Sequence, residues 1–507
     1  MTLNSFCIKI SLALALLALN HFDSRASQRF EKVIEFGFYT IGQRIISLPD
    51  SGYLIVGFSM DVFESALAIR LDKNGDTLWT RGFGNEHYSL DAVMTEDSGF
   101  LMVGSAADPS IDRSCLWKIS HDGNLQWSKR ISSDTVSNSF FTSIEKIGDN
   151  YFLGGVIDNE FVSGTGGDSP MLMKIDSSGN VIWSRMYYRE FESYGVLSMK
   201  LTSDYNIIMT GVADSTYALK IDTLGNIIWA KTYSEGFFSS VAETADHGFV
   251  FSGFDFNSDC VLTKTDSGGN LVWMKAYADV TDPFSVIAGA DGTILTAVTY
   301  FSGAGSHAAI LKTDSAGVPL HLSAYFPLPT ADDAGADIQT TYDSGFVFLY
   351  QKDDGNGDMM IALAFMDSLL SSGCEFSVPL PQYMPISLQG SPLNFQIYAS
   401  YSSSGTTMPV YSGAYLAFNC AGPHVEELEN FSIKVYPTIS EGQINFSADT
   451  EIQLVIYNSA GQFVKSGDFK GEKTIDLTDL SDGIYFYRAT SGEQKQISGK
   501  FVIQKSY

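Results

Sequence analysis

The sequence predicts an all-β fold of seven repeated units with four strands each, followed by a small β-sandwich domain. One phrase recurs seven times between residues 40 and 373. Each copy alternates short apolar runs with turn sequences of the hairpin type. The composition agrees with this interpretation, because 13% of the residues are aromatic and only 18% are charged, as suits a chain of many short strands.

Each repeat contains two turn sequences. The first has the form Asp-Ser-Gly-aromatic, as in Asp97-Ser98-Gly99-Phe100, and an apolar strand ending in Gly follows it. The second lies in the pattern Leu-x-Lys-Ile-Asp-x-x-Gly-Asn-φ-φ-Trp, where φ is an apolar residue. Asp and Asn side chains bond downstream amides to start a turn, and Gly supplies the positive φ that closes a hairpin. Two hairpins give four strands per repeat. The first turns begin at Asp50, Asp97, Asp149, Asp204, Asp246, Asp291 and Asp343.

The spacing of the repeats predicts a seven-bladed β-propeller over residues 29–374. Successive second-turn glycines lie 44 to 56 residues apart, which matches a four-stranded blade of roughly 40 to 50 residues. Five of the six Trp residues share one register of the fourth strand, so we expect them to pack on the next blade rather than to bind a ligand. The second-turn acids are interpreted as turn formers rather than catalytic groups. They include Asp72, Asp176, Asp222 and Asp266.

The ring is predicted to close through its N-terminal strand. The segment from Phe30 to Gly37 resembles a fourth strand with no first three strands before it. Repeat seven meets Pro379 and Pro381 where its own fourth strand would lie, and proline suits a central ladder poorly. We therefore expect residues 29–39 to complete blade seven. The alternative is an eighth, degenerate blade formed by residues 386–420.

The first 26 residues predict a secretory signal peptide. Lys9 precedes the apolar run 11–19, and Ser24-Arg25-Ala26 is a small-residue cleavage site. The apolar run is about half of the roughly 20 residues that span a bilayer, so no transmembrane anchor is expected in the mature chain. The formal net charge of −27 excludes nucleic acid as an expected partner.

The cysteines of the mature chain show no CxxC spacing that would indicate a zinc or redox site. In an oxidising compartment, Cys374 and Cys420 can form a disulfide across the Pro- and Ser-containing connecting segment, residues 375–425. Closing that loop would contribute about 4 kcal/mol on the chain-entropy model. Cys115 and Cys260 lie in strands of non-adjacent repeats and are expected to be buried free thiols.

The sequence assigns no catalytic residue and no cofactor site. The longest inter-strand loops, 158–168 and 353–358, are the candidate places for a ligand site. Asp354, Asn356 and Asp358 are candidate calcium ligands, but Met359 stands where an EF-hand needs Gly and no Glu follows. A solvated hairpin is the other interpretation of this loop. The histidines have no metal-ligand spacing.

The repeat pattern resembles the propeller-like arrays of bacterial surface and secreted proteins over residues 30–374. It is also similar to the tryptophan-docking motif of pyrroloquinoline-quinone propellers, in which an Asp, a Gly and a terminal Trp lock adjacent blades. Those enzymes have eight blades and a vicinal cysteine pair beside the cofactor. This chain has no adjacent cysteines, so quinoprotein activity is not expected.

Residues 430–507 contain ordered blocks, from Ile433-Lys-Val-Tyr-Pro437 to Lys500-Phe-Val-Ile-Gln-Lys505, that resemble the type A C-terminal sorting domain of the type IX secretion system. Thr438-Ile439 departs from the family, which often has Asn-Pro there. From the residues alone we expect a small antiparallel sandwich of short strands broken by Gly461, Gly471 and Gly483, with Tyr485 and Phe501 in its core. A generic adhesion-like module is the alternative. The motif residues are Tyr436, Pro437, Gly442, Gly461, Gly483, Tyr485 and Lys500.

The sorting-domain resemblance implies that the secretion machinery and its sorting protease are partners of the chain. It also implies a protein that is secreted or attached to the outer-membrane cell surface. The molecular role predicted for the propeller is binding of an extracellular glycan or protein. The alternatives are a structural surface protein without a discrete ligand, or a glycan-active hydrolase.

Overall fold

The structure is a computed structural model of the chain, and its described part contains strands and no helix. Between residues 391 and 420 the description covers the backbone only. It describes residues 30–503 and 505 apart from 36–38, 61–64, 85–86, 109–110, 133–138, 159–167, 189–194, 213–215, 234–236, 256–258, 303–304, 326–332, 354–357, 373–374, 386–390, 393–395, 399–401, 407–409, 412–415, 421–432, 437–438, 441, 459–462 and 492–495.

Seven antiparallel sheets follow one another along the chain, as the repeat predicts. The first strand of the chain is β1 (Phe30–Glu35). Blades one to three are β2 (Thr40–Ser47), β3 (Tyr53–Ser59), β4 (Ser65–Leu71) and β5 (Thr77–Phe83); β6 (His87–Met94), β7 (Phe100–Asp108), β8 (Ile111–Ile119) and β9 (Leu125–Ser132); β10 (Ser139–Ile147), β11 (Asn150–Asp158), β12 (Asp168–Ile175) and β13 (Val181–Tyr188).

The remaining blades repeat the same order of strands. Blades four to six are β14 (Gly195–Leu201), β15 (Ile207–Val212), β16 (Tyr217–Ile221) and β17 (Ile227–Thr232); β18 (Phe237–Glu243), β19 (Phe249–Phe254), β20 (Cys260–Thr265) and β21 (Leu271–Tyr277); β22 (Val280–Ala288), β23 (Ile294–Phe301), β24 (Ser306–Thr313) and β25 (Pro319–Tyr325). Blade seven has β26 (Ala334–Thr340), β27 (Phe346–Asp353) and β28 (Met359–Met366).

The N-terminal strand completes blade seven. β1 pairs antiparallel with β28, from Phe30 opposite Phe365 to Ile34 opposite Ile361. The predicted closure is therefore confirmed. Because the first and last strands of the repeat region share one sheet, no blade at this junction is left with three strands.

The segment after blade seven forms what we call the outer belt, a series of short strands that add a fifth strand to every blade. Its strands pair antiparallel with the outermost strands of blades six, five, four, three, two, one and seven, in that order. The alternative of an eighth blade is wrong, because these strands are distributed over different sheets. They are β29 (Glu375–Ser377), β30 (Tyr383–Pro385), β31 (Ser391–Pro392), β32 (Gln396–Tyr398), β33 (Ser402–Thr406), β34 (Val410–Tyr411) and β35 (Leu416–Cys420).

The core lies between neighbouring blades. All seven residues of β3 and all seven of β4 are buried, because a middle strand has a sheet on both faces. One apolar cluster joins Val56 of blade one to Met102 and Trp117 of blade two. Another joins Ile45 of blade one to Leu349 of blade seven, so the packing is continuous around the ring.

The fourth-strand tryptophans fasten each blade to the next. Trp79 Nε1 donates to the carbonyl oxygen of His121 over 3.0 Å, and its ring covers Gly123. An added Cβ at Gly123 would lie 2.9 Å from that ring, and φ there is +76°. Trp229 and Trp273 make the equivalent bonds to Ser267 and Ser315. The Trp series therefore belongs to the blade junctions, as expected.

The second-turn acids are turn formers. Asp72 Oδ1 accepts from the backbone nitrogens of Asn74 and Asp76, both over 2.8 Å. Asp176, Asp222 and Asp266 accept from their own downstream amides in the same way.

The C-terminal region is a six-stranded sheet bent around one core, to which Phe446, Tyr485 and Phe501 belong. Two details differ from the expected antiparallel sandwich. The second strand of the sheet pairs in parallel with the last, and Gly471 lies inside a strand, beside a bulge, rather than between strands. The strands are β36 (Ile433–Tyr436), β37 (Ile439–Ser440), β38 (Gln443–Asn458), β39 (Phe463–Asp476), β40 (Gly483–Ser491) and β41 (Gln496–Ile503).

Candidate functional site: the central cavity

A cavity of about 650 Å³ lies among the first strands of all seven blades. Its lining extends from Arg44 to the residues just before the first turns, such as Tyr342. The cavity therefore runs toward the end of the propeller that carries the Asp-Ser-Gly turns. The candidate ligand loops, 158–168 and 353–358, fall largely outside the described residues.

A shift of register interrupts the pairing of the first and second strands in every blade. It is a one-residue β-bulge in six blades and a longer bulge, between Thr281 and Ser285, in blade six. The bulge explains the Gly that ends the second strand in the repeat. An added Cβ at Gly57 would lie 1.9 Å from the carbonyl oxygen of Ile41, which the bulge turns toward it. We call the residues directly after the bulges the bulge ring. They are Arg44, Asp91, Ser143, Ser198, Ser240, Ser285 and Asp337.

Members of the bulge ring bond to the next blade. Asp91 Oδ2 accepts from the backbone nitrogen of Ile144 over 3.0 Å and from Ser143 Oγ over 3.1 Å. Ser240 Oγ accepts from the backbone nitrogen of Val286 over 3.2 Å. These side chains serve the blade junctions, and the sequence analysis did not find them.

A second set of side chains, two residues further along each first strand, surrounds the cavity nearer its mouth. Between the two sets, every intervening residue is apolar and points into the blade junctions, as strand alternation requires. We call the second set the mouth ring. It consists of Ile46, Val93, Glu145, Lys200, Ala242, Ile287 and Gln339.

Two basic side chains, those of Lys200 and Arg44, line the described part of the cavity. Lys200 Nζ lies 3.2 Å from Glu145 Oε1, and its side chain is 45% exposed. The Glu145 carboxylate raises the pKa of Lys200, and burial raises the pKa of Glu145. Arg44 Nη1 lies 3.7 Å from Asp337 Oδ1. Blades one and four carry these cations, so they stand on nearly opposite walls.

Ser203, Glu243 and His247 meet beside the cavity mouth. Ser203 Oγ donates to Glu243 Oε1 over 2.6 Å, and His247 Nδ1 lies 3.1 Å from Ser203 Oγ. The same Nδ1 lies 3.4 Å from Glu243 Oε1. A hydrolytic triad needs one ring nitrogen on the serine and the other on the carboxylate. This arrangement lacks that geometry, so it does not support hydrolase chemistry.

The structure describes only one of the three candidate calcium ligands. Asp358 is exposed, while Asp354 and Asn356 lie outside the described residues. Within the described part of the chain, no group of three or more His, Cys, Asp or Glu side chains is arranged to hold a metal ion. Calcium at this loop stays a prediction.

The cysteines divide into two groups. Cys115 and Cys260 are buried free thiols, as expected. Cys420 is paired through its backbone with Glu31. Cys374 lies outside the described residues, so its pairing with Cys420 stays a prediction.

The sorting-motif residues that the structure describes lie in or beside one sheet. Gly442 has φ of +122°, and an added Cβ would lie 2.7 Å from the Cα of Thr478. Tyr485 donates its hydroxyl to the carbonyl oxygen of Ser481 over 2.9 Å and stacks on Phe501 with the ring centroids 5.9 Å apart. The other motif positions are Tyr436 in β36, Gly483 in β40 and Lys500 in β41, with Pro437 and Gly461 outside the described residues.

Residues 434–504 match the family described as "Secretion system C-terminal sorting domain". The chain carries this sorting signal at its C-terminal end. The predicted sorting domain is therefore confirmed, and it indicates export with secretion or attachment to the outer-membrane cell surface. It also implies contact with the type IX secretion machinery. In the described part of the chain, no helix has the length and apolar character to cross a membrane.

Several solved structures are similar to parts of this chain. A propeller of Dos1 has 10% identity and a TM-score of 0.40, covering 74% of this chain and 94% of its own. A protein of unknown function from Dyadobacter fermentans has 11% identity and a TM-score of 0.39, covering 67% and 98%. Sqt1 from Chaetomium thermophilum has 10% identity and a TM-score of 0.39, covering 66% and 86%. At these scores the similarities carry no argument about function. No curated protein matches the chain significantly.

Proposed function

We propose that the exported propeller is a binding module for an extracellular glycan or protein, and that its central cavity is the binding site. The observation that carries this proposal is the composition of the cavity wall. The wall brings Arg44, Lys200 and Glu145 to one space of about 650 Å³ inside a rigid ring. A concave site with a few convergent polar groups is the usual form of a ligand site.

A glycan-active hydrolase needs two available carboxyl groups, one as the acid and the other as the base or nucleophile. Asp91, Asp337 and Glu243 instead accept hydrogen bonds from the protein itself, so the hydrolase alternative has less support. A purely structural role accounts for acids such as Asp91, which accepts hydrogen bonds at a blade junction, but it gives no use to the remaining N–H donors of Arg44 and Lys200.

The test uses the mature chain, residues 27–507, on glycan and peptide arrays. We expect a defined set of ligands, and we expect binding to fall when Ala242→Trp in the mouth ring fills the cavity. The unfolding midpoint shows whether the variant is folded. Lys73→Ala is the matched control, because Lys73 is exposed in a second turn. Failure to bind any glycan or peptide would support the structural role instead. Binding that Ala242→Trp leaves unchanged would place the site elsewhere on the propeller.

A further inference from the structure

We infer that the cavity recognises an acidic sugar residue, whose carboxylate or sulfate group lies between Arg44 and Lys200. This inference rests on the proposed binding function and names the chemistry of its ligand. It follows from counting which hydrogen-bonding groups of the cavity are already used by the protein and which are still available.

The carboxylates of the cavity are largely occupied. Asp337 accepts from the backbone nitrogen of Ile45 over 3.0 Å and from Ser285 Oγ over 2.7 Å. Gln339 Nε2 contacts both Asp337 oxygens, at 3.2 and 3.3 Å. Asp91 accepts three hydrogen bonds, from two backbone nitrogens and one serine hydroxyl. These acids act as internal acceptors at the blade junctions and have little remaining capacity for a ligand.

The acids nearer the mouth are occupied as well. Glu243 accepts from both the backbone nitrogen and the hydroxyl of Ser203, each over 2.6 Å. Glu145 faces Lys200 over 3.2 Å. The carboxylates therefore do not make the cavity a cation site.

The side chains of Arg44 and Lys200 keep N–H donors that no acceptor in the described part of the protein uses. Among the contacts of the described residues, the Arg44 guanidinium has its ion pair with Asp337 at 3.7 Å and no hydrogen bond. A guanidinium carries five N–H donors, and the Lys200 ammonium carries three, of which Glu145 engages one. Glu145 chiefly, and Asp91 and Asp337 with it, raise the pKa of Lys200, while burial and Arg44 lower it. Lys200 is therefore charged in the cavity, and its charge and that of Arg44 repel each other. An anion between them satisfies both cations.

The remaining lining favours a sugar as the bearer of the anion. The amide oxygen of Gln339 and the hydroxyl group of Tyr342 offer hydrogen-bonding groups for ring hydroxyls. Ile46, Val93 and Ile287 offer apolar surface for the C–H faces of a ring. A volume of about 650 Å³ lies within the usual range of small-ligand sites.

Calorimetric titration of the mature chain tests this inference with matched probes. The probes are an oligosaccharide that ends in a uronic acid, its sulfated counterpart, the neutral sugar of the same linkage, and a short peptide with a free or amidated C-terminus. We expect the acidic or sulfated sugar to bind and the neutral sugar to bind at least about tenfold more weakly, which is the value of one hydrogen bond to a charged group.

Two variants locate the effect. Arg44→Gln and Lys200→Gln should each lower the affinity for the acidic sugar by about tenfold and leave the affinity for the neutral sugar unchanged. Lys200→Arg, which retains the charge, should recover part of the loss, and Lys73→Ala should have no effect. Unfolding midpoints show whether each variant is folded.

The outcomes separate the two proposals. Equal binding of acidic and neutral sugars overturns the anion site while the binding function stands. Preference for the free peptide C-terminus over every sugar overturns the sugar assignment. If no probe binds and the glycan and peptide arrays show no ligand either, the proposed function itself is overturned.

Discussion

Asp337 of blade seven accepts a hydrogen bond from the backbone nitrogen of Ile45 in blade one, over 3.0 Å. The two residues are 292 positions apart in the chain. This bond joins the last blade to the first on the inner side of the ring, as the pairing of β1 with β28 does on the outer side. The propeller is therefore closed both at its inner strands and at its outer strands, and each closure can be tested separately.

Replacement of Asp337 should destabilise the inner closure. Asp337→Ala leaves the Ile45 backbone nitrogen and the Ser285 hydroxyl without their acceptor in a fully buried place. We expect a loss of about 3 kcal/mol in the free energy of unfolding, measured by chemical denaturation. Asp122→Ala, at an exposed turn position, is the control. A loss no greater than that of the control would show that the bond does not stabilise the ring.

The outer closure should make stability depend on pH. Glu31 of β1 is fully buried, accepts from Ser372 Oγ over 3.1 Å and from the Tyr350 hydroxyl over 3.4 Å, and burial raises its pKa from 4.5 to about 8. Between these two pH values the folded chain binds more protons than the unfolded chain at this group. The contribution of protonated Glu31 to the free energy of unfolding is therefore lost as the pH rises from 4.5 to about 8.

Glu31→Gln should remove this part of the pH dependence. The variant keeps the shape of the side chain but cannot ionise, so its unfolding free energy should fall less between pH 5 and pH 8 than that of the unaltered protein. The acids Asp97, Asp204 and Asp246, whose pKa values are lowered to about 2, titrate below this window and do not interfere. Identical slopes for both proteins would contradict the assignment.

The outer belt should protect the blade edges. Deleting residues 375–420 from the mature chain leaves the outermost strand of all seven blades without a partner, and exposed edge strands invite pairing between molecules. We expect the deleted protein to associate at concentrations where the intact protein is monodisperse, as measured by light scattering after gel filtration. A monodisperse deletion variant of unchanged thermal stability would show that the belt is dispensable.

The predicted disulfide would tie the two ends of the belt together. Ser372 Oγ contacts Glu31 over 3.1 Å and Glu375 over 2.9 Å, and Glu31 is the register partner of Cys420. Cys374 is the chain neighbour of Glu375. Thiol titration of the denatured, unreduced mature protein should therefore find two thiols, those of Cys115 and Cys260. Four thiols would rule the disulfide out.

The repeat was predictable because its signals are local. An Asp followed by Gly at a fixed offset specifies a turn, and a Trp in constant register specifies a blade junction. The ring and its N-terminal closure follow from the number of strands that these signals predict in each repeat. The belt was not predictable, because strands of two to five residues such as Val410–Tyr411 carry no periodicity. Their position is set by edges that exist only in the folded ring.

The cavity side chains escaped the sequence analysis for a different reason. Arg44, Asp91 and Ser240 share no residue type, and their equivalence comes from the bulge beside each of them. The Gly that ends the second strand was the available signal, since Gly57 is required by the carbonyl group that the bulge turns toward it.

The central claim is that the cavity binds the ligand, and lysine labelling tests it most directly. Lys200 is 45% exposed, so an amine-reactive reagent in excess at alkaline pH should label it in the free protein, although Glu145 raises its pKa. A saturating ligand from the arrays should lower the labelling of Lys200 and leave that of Lys73 unchanged, as read by peptide mass analysis. Unchanged labelling of Lys200 while the ligand is bound would contradict the account.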